Sequence, residues 1–176
     1  MNKTEDVLNR LHKDAEKDPL RMTKKKLTSL FRPLTPNDFE DAYLPISAKQ
    51  GQSIKELIVD HKCKNIIEFG TSFGISTIYL ALGAKTTGGK VTSTELLEGK
   101  AKTALRNITE AGLNELVEIK IGDALQTLQK LSEPVDFLFL DGWKDLYLPL
   151  FKMLEPLLHS DSIIYADNMD LSLIHI

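Results

Sequence analysis

The chain has 176 residues, of which 42% are hydrophobic and 27% are charged, and its formal net charge is −3. A chain of this length can bury about 70% of the surface that its unfolded form exposes, so it needs neither disulfide nor metal to fold. Its single cysteine excludes a disulfide within the chain and favours a reducing, cytoplasmic location. The negative net charge disfavours a nucleic-acid partner, because nucleic-acid-binding domains are more often basic. No apolar run approaches the roughly 20 residues of a membrane span, so no membrane partner is expected.

The first 45 residues differ in pattern from the rest of the chain. Apolar side chains at helical spacing over residues 7–15 predict a first helix, and a second, polar helix is expected over residues 22–31. The prolines that follow end it, because proline removes a backbone donor and restricts the residue before it. We therefore interpret residues 1–45 as an N-terminal helical extension or lid on a main domain over residues 46–170.

In the main domain, apolar strands and helices alternate. Strands are predicted for residues 65–69, 90–94, 117–121, 135–140 and 162–166, and helices for residues 51–61, 75–82, 98–111, 124–131 and 146–158. Because continuously apolar strands are typical of a parallel sheet covered on both faces, the pattern predicts a doubly wound α/β fold. Ligands of such sheets bind at the carboxyl ends of the strands.

Every predicted strand ends in or beside a carboxylate. These acids are Glu68, Glu95, Asp123, Asp141 and Asp167. One carboxylate at such a position is unremarkable, since a helix that follows is stabilised by acidic residues near its N-terminus. Five of them would converge on one edge of the sheet, which predicts a functional site there.

The first two strand ends favour a bound nucleoside. Between the first strand and its helix lies a loop in which Gly70 and Gly74 would let a ligand approach the backbone. Its G-x-x-x-G spacing is neither a dinucleotide fingerprint nor a Walker loop, and a tight turn explains it equally well. Glu95, about 25 residues on, is placed to accept two ribose hydroxyls, with a helix-capping role as the alternative. Asp123 fits either an adenine contact or the N-cap of the next helix, and both stay open.

The last two strand ends carry the residues for chemistry. Asp141, Asp167 and Asn168 would supply three oxygen ligands from adjacent strand ends, and such ligands suit Mg²⁺. Lys144 follows Asp141 by three residues and could act as a general base. On spacing alone, a surface lysine and a simple turn at Asp167 are equally consistent.

These motifs together resemble the class I S-adenosylmethionine-dependent methyltransferases. The segment from Asp141 through Lys144 to Pro149, followed by Asp167 and Asn168, is similar to the cation-dependent catechol and caffeoyl-CoA O-methyltransferase group. The resemblance covers residues 46–168. It implies a Rossmann-like sheet, S-adenosylmethionine as cofactor, a divalent cation such as Mg²⁺, and a small molecule with a hydroxyl group as methyl acceptor.

The resemblance also implies a role for each matching residue. The positions implied to bind the cofactor are Ile46, Ser47, Glu68, Gly70, Ser76, Glu95, Asp123, Ala124 and Asp141. The implied cation ligands are Asp141, Asp167 and Asn168, and the implied catalytic residues are Lys144 and Asp141. In the implied reaction, the cation lowers the pKa of the acceptor hydroxyl, Lys144 takes its proton, and the oxygen attacks the sulfonium methyl group.

Two departures and two alternatives accompany the resemblance. Gly142 stands where catechol O-methyltransferases have a larger residue, and residues 159–161 replace glycines that members often carry before strand five. A protein of the same fold that binds the cofactor, with no or different catalysis, is the first alternative. A nicotinamide-dependent oxidoreductase is the second, and the glycine spacing disfavours it. Neither motif nor composition decides whether the chain forms a homodimer.

The end of the sequence predicts a longer natural protein. The family fold continues after Asn168 for roughly 40 residues that include an antiparallel strand pair, by typical element lengths. Here the sequence stops at Ile176. Residues 171–176 read as a translation of the transposon end used in sequencing libraries, so we expect a non-native tail there. The antiparallel strand pair is then expected to be missing.

Overall fold

A computed structural model describes residues 3–29 and 32–167 of the chain. Its centre is a five-stranded sheet in which all neighbouring strands run parallel, in the order β3-β2-β1-β4-β5. The strands are β1 (Asn65–Phe69), β2 (Lys90–Glu95), β3 (Val117–Ile121), β4 (Val135–Leu140) and β5 (Leu158–Ala166). The predicted five parallel strands of a doubly wound α/β fold are confirmed.

Seven α-helices accompany the sheet in the described residues. They are α1 (Lys3–Ala15), α2 (Asp18–Ser29), α3 (Ala48–Asp60), α4 (Ile75–Thr87), α5 (Glu98–Glu110), α6 (Ala124–Thr127) and α7 (Tyr147–Leu154). None of the helices in these ranges is long and apolar enough to cross a membrane.

The two faces of the sheet bury separate apolar cores. Ile66 and Phe137 point to the larger core, which α1, α3, α4 and α5 cover. Ile67 and Leu138, their neighbours in sequence, point to the smaller core beneath α6 and α7. Successive strand residues therefore enter opposite cores, which explains why the central strand β4 is apolar without interruption over residues 137–140. The outer strands β2 and β3 carry polar residues as well.

The first helix is part of the larger core. Val7, Leu8 and Leu11 are buried there, as their helical spacing predicts. The Thr4 hydroxyl donates to the Ala111 carbonyl over 3.0 Å. This helix is therefore packed onto the main sheet domain by both apolar and polar contacts.

Several predicted helix bounds were wrong, and each error has a local cause. α2 begins at Asp18 rather than residue 22, with the proline of an Asp-Pro pair in its first turn. α3 begins at Ala48 rather than residue 51, because Ser47 and Gln50 form a capping box. Pro149 lies in the first turn of α7, where its missing N–H costs little.

The other errors concern lengths. α4 runs to Thr87 rather than residue 82, whereas α6 is one turn ending at Thr127 rather than residue 131. α7 ends at Leu154, and a 3₁₀ turn containing Pro156 follows. β5 begins at Leu158 rather than residue 162, with an irregular register against β4 at its start.

Candidate active site

One cavity opens at the carboxyl ends of the strands, where the strand-end acids were expected to meet. It has a volume of about 600 Å³. Its walls are the β1–α4 loop, the ends of β2 and β4, the β3–α6 turn, and the segment of residues 36–46, which we call the strap. Of the nine predicted cofactor-binding residues, seven line it: Ile46, Gly70, Ser76, Glu95, Asp123, Ala124 and Asp141. Asp167, predicted as a cation ligand, is not part of the wall.

Gly70 lets two strand ends approach each other at the floor of the cavity. Its backbone has φ +104, and a Cβ built there would lie 2.5 Å from the carbonyl oxygen of Asp141. Any side chain would therefore push β1 and β4 apart. A tight turn and a close approach to a ligand are both compatible with this geometry.

Glu68 lies beneath the cavity rather than in its wall. Its side chain is 0% exposed and accepts hydrogen bonds from the hydroxyls of Ser76 (2.6 Å), Thr77 (2.6 Å) and Ser93. Burial raises the pKa of Glu68 to about 7, although the three hydroxyl donors oppose that rise. The described contacts thus join Glu68 to the start of α4, and direct contact with a cofactor stays a prediction.

Ser76 links this buried acid to the cavity. It lies in the first turn of α4, where backbone N–H groups lack intrahelical partners and favour an anion. Because its hydroxyl proton is directed to Glu68, the Ser76 hydroxyl offers the cavity lone pairs only. An anionic group of a ligand would then meet the backbone N–H groups at this helix start.

Glu95 projects from the end of β2 into the cavity wall. Its two oxygens accept the backbone N–H groups of Ser72 (2.8 Å) and Leu97 (2.9 Å). Leu97 is the N-cap residue of α5, so the alternative of a carboxylate near a helix start is correct in part. Each carboxylate oxygen keeps a further lone pair, so the fixed side chain fits two ribose hydroxyls.

Asp123 is the N-cap of α6, as one of the two interpretations predicted. Its carboxylate accepts the Leu125 N–H over 2.9 Å, and both Asp123 and Ala124 line the cavity. An adenine contact of Asp123 stays a prediction beside the confirmed cap.

Ile46 and Ser47 have different positions at the other end of the cavity. Ile46 is buried and lines the cavity, whereas Ser47 caps α3 and is not part of the wall. A direct contact of Ser47 with a cofactor stays a prediction.

Asp141, which is half-buried in the cavity wall, and Asp167, which is buried, form a pair of carboxyl groups at the ends of β4 and β5. The Asp167 N–H donates to the Leu140 carbonyl over 2.9 Å, which fixes the two chain ends side by side. Burial, then the charges of Asp167 and Glu68, raise the pKa of Asp141 to about 8. The two side chains also share a hydrogen bond.

The donor chemistry of this pair fits a divalent cation. Two close carboxylates repel each other when ionised, and a bound dication would remove that penalty. Asn168, the third predicted ligand, lies outside the described residues, as do residues 171–176. Among the residues that are described, no group of three or more histidine, cysteine or acidic residues could hold a metal. The cation therefore stays a prediction.

Lys144 lies beside the cavity and not in its wall. It begins a 3₁₀ turn (Lys144–Leu146) and is exposed, while its neighbours Trp143 and Asp145 line the cavity. Tyr43 and Trp143 both line the cavity. Tyr147 instead packs edge-on against Phe69.

Gln50 and Lys100 are polar residues of this site that the sequence did not indicate. The Gln50 side chain donates to Asp167 over 2.9 Å and accepts the Ser47 N–H over 2.9 Å. The S-x-x-Q capping pattern in the sequence predicts the contact of Gln50 with Ser47 but not its contact with Asp167. Lys100 on α5 lines the cavity, and no motif in the sequence around it indicates that position.

The comparisons with known proteins agree with this arrangement. A family model described as O-methyltransferase matches residues 22–172. The chain therefore belongs to the O-methyltransferase family, and the structures it resembles confirm a Rossmann-like methyltransferase fold.

Catechol O-methyltransferases are among the relatives in sequence. The enzyme of Niastella koreensis is 34% identical over 140 residues, which cover 76% of this chain and 63% of that protein. The enzyme of Mycobacterium tuberculosis is 32% identical over 127 residues, which cover 72% of this chain and 57% of that protein. The chain thus spans less than two thirds of the length of these two relatives.

A solved structure gives the same result for the fold. The O-methyltransferase of Bacillus cereus, crystallised in complex with SAH, superposes with a TM-score of 0.67 at 29% identity. The match covers 82% of this chain and 71% of that one.

Proposed function

We propose that this chain transfers the methyl group of S-adenosylmethionine to a hydroxyl oxygen of a small, catechol-like molecule with the help of a divalent cation. One observation carries the proposal: the cavity that Gly70 and Glu95 line is also lined by Asp141, whose side chain shares a hydrogen bond with Asp167 outside the wall. The relatives named catechol O-methyltransferase support the choice of acceptor.

The cofactor would lie across the ends of β1, β2 and β3. Glu95 would accept the ribose hydroxyls, and the N–H groups at the start of α4 would bind the carboxylate of the methionine part. Asp123 and Ala124 would face the adenine. A volume of about 600 Å³ is within the usual range for a small-molecule site, which supports an occupant of this size.

The cation and the acceptor would occupy the other end of the cavity. Asp141 and Asp167 would hold the cation, together with Asn168. When bound, a divalent cation lowers the pKa of a hydroxyl group that coordinates it. Gln50 would keep the Asp167 carboxylate oriented, and Lys144 would take the acceptor's proton. Trp143 and Phe39, whose ring centroids are 6.0 Å apart, would exclude water from the acceptor.

A protein that binds the cofactor but has no or different catalysis is the second candidate. The observation in its favour is the exposed position of Lys144 outside the cavity wall. The two candidates differ in one measurement, because turnover that is unchanged in Lys144→Ala would favour the second.

Binding and turnover together test the proposal. Calorimetry should detect binding of S-adenosylmethionine and S-adenosylhomocysteine, and catechol should be methylated with Mg²⁺ but not after chelation with EDTA. In Asp167→Ala, the addition of Mg²⁺ should no longer increase the rate of catechol methylation, whereas the affinity for the cofactor should largely remain. Asp161→Ala, an exposed acid in the first part of β5, is the matched control. Turnover that survives EDTA would contradict the cation's role, and failure to bind either nucleoside would contradict the whole proposal.

A cytoplasmic location and a homodimer are further predictions. The single cysteine supports the first. Light scattering coupled to size-exclusion chromatography tests the second.

A further inference from the structure

The strap (residues 36–46) forms one wall of the cavity without the support of a regular element. Its cavity-lining residues are Pro36, Phe39, Tyr43, Leu44, Pro45 and Ile46. Apart from one 3₁₀ turn (Pro36–Phe39), it has neither helix nor strand. Its position over the cavity therefore depends on its own buried side chains, such as Ile46, and on side chains of other segments that bind its backbone.

Three consecutive residues of the strap are held through their backbones by side chains from three other segments. Lys100 on α5 donates its ammonium group to the Ala42 carbonyl over 2.8 Å. The Ser72 hydroxyl donates to the Tyr43 carbonyl over 2.8 Å. The Leu44 N–H donates to the Asp18 carboxylate over 2.8 Å.

The backbone at Leu44 shows that these contacts hold the strap in an unfavourable conformation. Leu44 has φ 46, in the left-handed region that branched, bulky side chains avoid. Such a conformation persists only where the surrounding contacts enforce it. Loss of one contact should therefore favour a different path of the strap.

Lys100 is the contact that connects the strap to the ribose end of the cavity. Its side chain is buried, with the residue only 6% exposed, and it lies 5.2 Å from the centre of the Phe73 ring. It also donates to the Ser72 hydroxyl oxygen over 3.3 Å, while the Ser72 N–H donates to Glu95. A charged donor makes a stronger hydrogen bond than a neutral one, and a buried ammonium group that loses its acceptor is costly.

We propose that Lys100 is a positioning residue that latches the strap over the ribose end of a bound S-adenosyl nucleoside. The nucleoside then leaves the cavity only when the hydrogen bond between Lys100 and the Ala42 carbonyl opens. This inference rests on the proposed function, since it takes such a nucleoside as the occupant of the cavity.

The dissociation rate of S-adenosylhomocysteine is the direct measurement. Lys100→Met keeps the length and apolar stem of the side chain and removes the donor. We expect dissociation about tenfold faster than in the unaltered chain, which corresponds to one hydrogen bond to a charged group. Lys102→Met is the matched control, because Lys102 is an exposed lysine of the same helix that pairs with Glu98. Its dissociation rate should not change.

Tryptophan fluorescence reports on the strap without any ligand. Trp143 is the only tryptophan of the chain, and its ring meets Phe39 of the strap edge-on. In the ligand-free protein, Lys100→Met should make Trp143 easier to quench with acrylamide. Lys100→Arg keeps a charged donor and should restore most of the protection, which a purely structural role of the aliphatic stem would not explain.

The outcomes separate the latch from the proposed function. Dissociation and quenching that both stay at their original values in Lys100→Met overturn the latch, and so does quenching that changes without faster dissociation. If the unaltered chain binds no S-adenosylhomocysteine, the proposed function fails, and quenching of the ligand-free protein alone decides whether Lys100 holds the strap. If Lys100→Met does not fold, Lys100→Gln replaces it, because glutamine is one atom shorter and loses the charged donor to the Ala42 carbonyl. The same faster dissociation is then expected, and its absence overturns the latch.

Discussion

The two ends of the cavity satisfy their acidic groups in opposite ways. At the ends of β1 and β2, Glu68 accepts three hydroxyl protons and Glu95 accepts two backbone N–H groups. At the ends of β4 and β5, Asp141 faces Asp167 and its pKa rises to about 8. The first end is preorganised by the fold alone, and the second carries a repulsion that a cation would relieve. Changes at the first end should therefore act on binding and stability, and changes at the second on turnover.

The largest expected effect is a loss of turnover at the second end. Lys144→Ala should lower the rate of methyl transfer by about 10² to 10⁴, the usual contribution of a general base. Because Lys144 is exposed, we expect the free energy of unfolding and the affinity for S-adenosylhomocysteine to stay unchanged. Single-turnover kinetics and calorimetry measure the two quantities.

The control for this change is Lys152→Ala, another exposed lysine, which lies on α7. If both variants turn over at the original rate, Lys144 has no catalytic role and the difference between the two ends of the cavity disappears.

Glu68, at the first end of the cavity, should make the free energy of unfolding depend on pH. Its folded-state pKa of about 7 lies above the usual value of 4.5, so the folded chain holds this proton more tightly than the unfolded chain. The stabilisation is complete below pH 4.5 and is lost as the pH rises through 7, by about 3 kcal/mol. Denaturant unfolding between pH 4.5 and 8 should show this fall.

Glu68→Gln should make that fall shallower without abolishing it, because glutamine does not titrate whereas Asp141, whose pKa rises to about 8, still does. Asp136 does not contribute to the fall, since the backbone N–H groups of Asn65 and Lys64 lower its pKa despite its partial burial and it stays ionised over this pH range. An equally steep fall in Glu68→Gln would mean that another group causes it.

Glu95→Gln should act on binding rather than on the chemistry. The amide keeps one oxygen for a backbone N–H but turns an NH₂ group towards the other, which disturbs both the loop and a ribose hydroxyl. We expect the dissociation constant of S-adenosylhomocysteine to rise about 10- to 100-fold, as for the loss of one or two hydrogen bonds to a charged group. The single-turnover rate at saturating cofactor should change much less. A variant with unchanged affinity would show that the ribose does not lie at Glu95.

The same difference between the two ends explains what the sequence could predict. The strand ends, and with them the positions of the acids, could be predicted from apolar runs that stop abruptly. A buried strand shows this pattern in the sequence itself, without information on tertiary contacts. β1, β3 and β4 have the predicted bounds. A strand end also fixes which edge of the sheet its acid occupies, so the meeting of Glu95, Asp123 and Asp141 in one cavity was predictable.

Contacts between distant segments were not predictable in the same way. Nothing in the sequence near Lys100 or Gln50 indicates Ala42 or Asp167 as partners, because those contacts depend on how the strap and α3 cross the strand ends. The burial of Glu68 under Ser76 and Ser93 is a similar case. Gly142 is a third: its departure from the family was visible, but its structural reason was not.

Gly142 gives the smallest expected effect, and it lies on the boundary between the two ends. A Cβ at Gly142 would lie 2.5 Å from the Phe69 ring, and that ring is held edge-on by Tyr147. Gly142→Ala should therefore force the ring or the strand end to move, at a cost of about 1 to 3 kcal/mol in the free energy of unfolding. Chemical denaturation measures this directly.

Gly99→Ala is the matched control for that cost. Gly99 lies in the first turn of α5, and a Cβ there would meet only the Glu40 side chain, at 3.7 Å. Alanine has the better helix propensity, so this change should be neutral or stabilise the chain by up to about 1 kcal/mol. If the free energy of unfolding falls in Gly142→Ala and does not fall in Gly99→Ala, the contact with Phe69, and not backbone flexibility, requires glycine at position 142. If Gly142→Ala is as stable as the original chain, the Phe69 ring is free to move, and lack of space does not explain the glycine at this position.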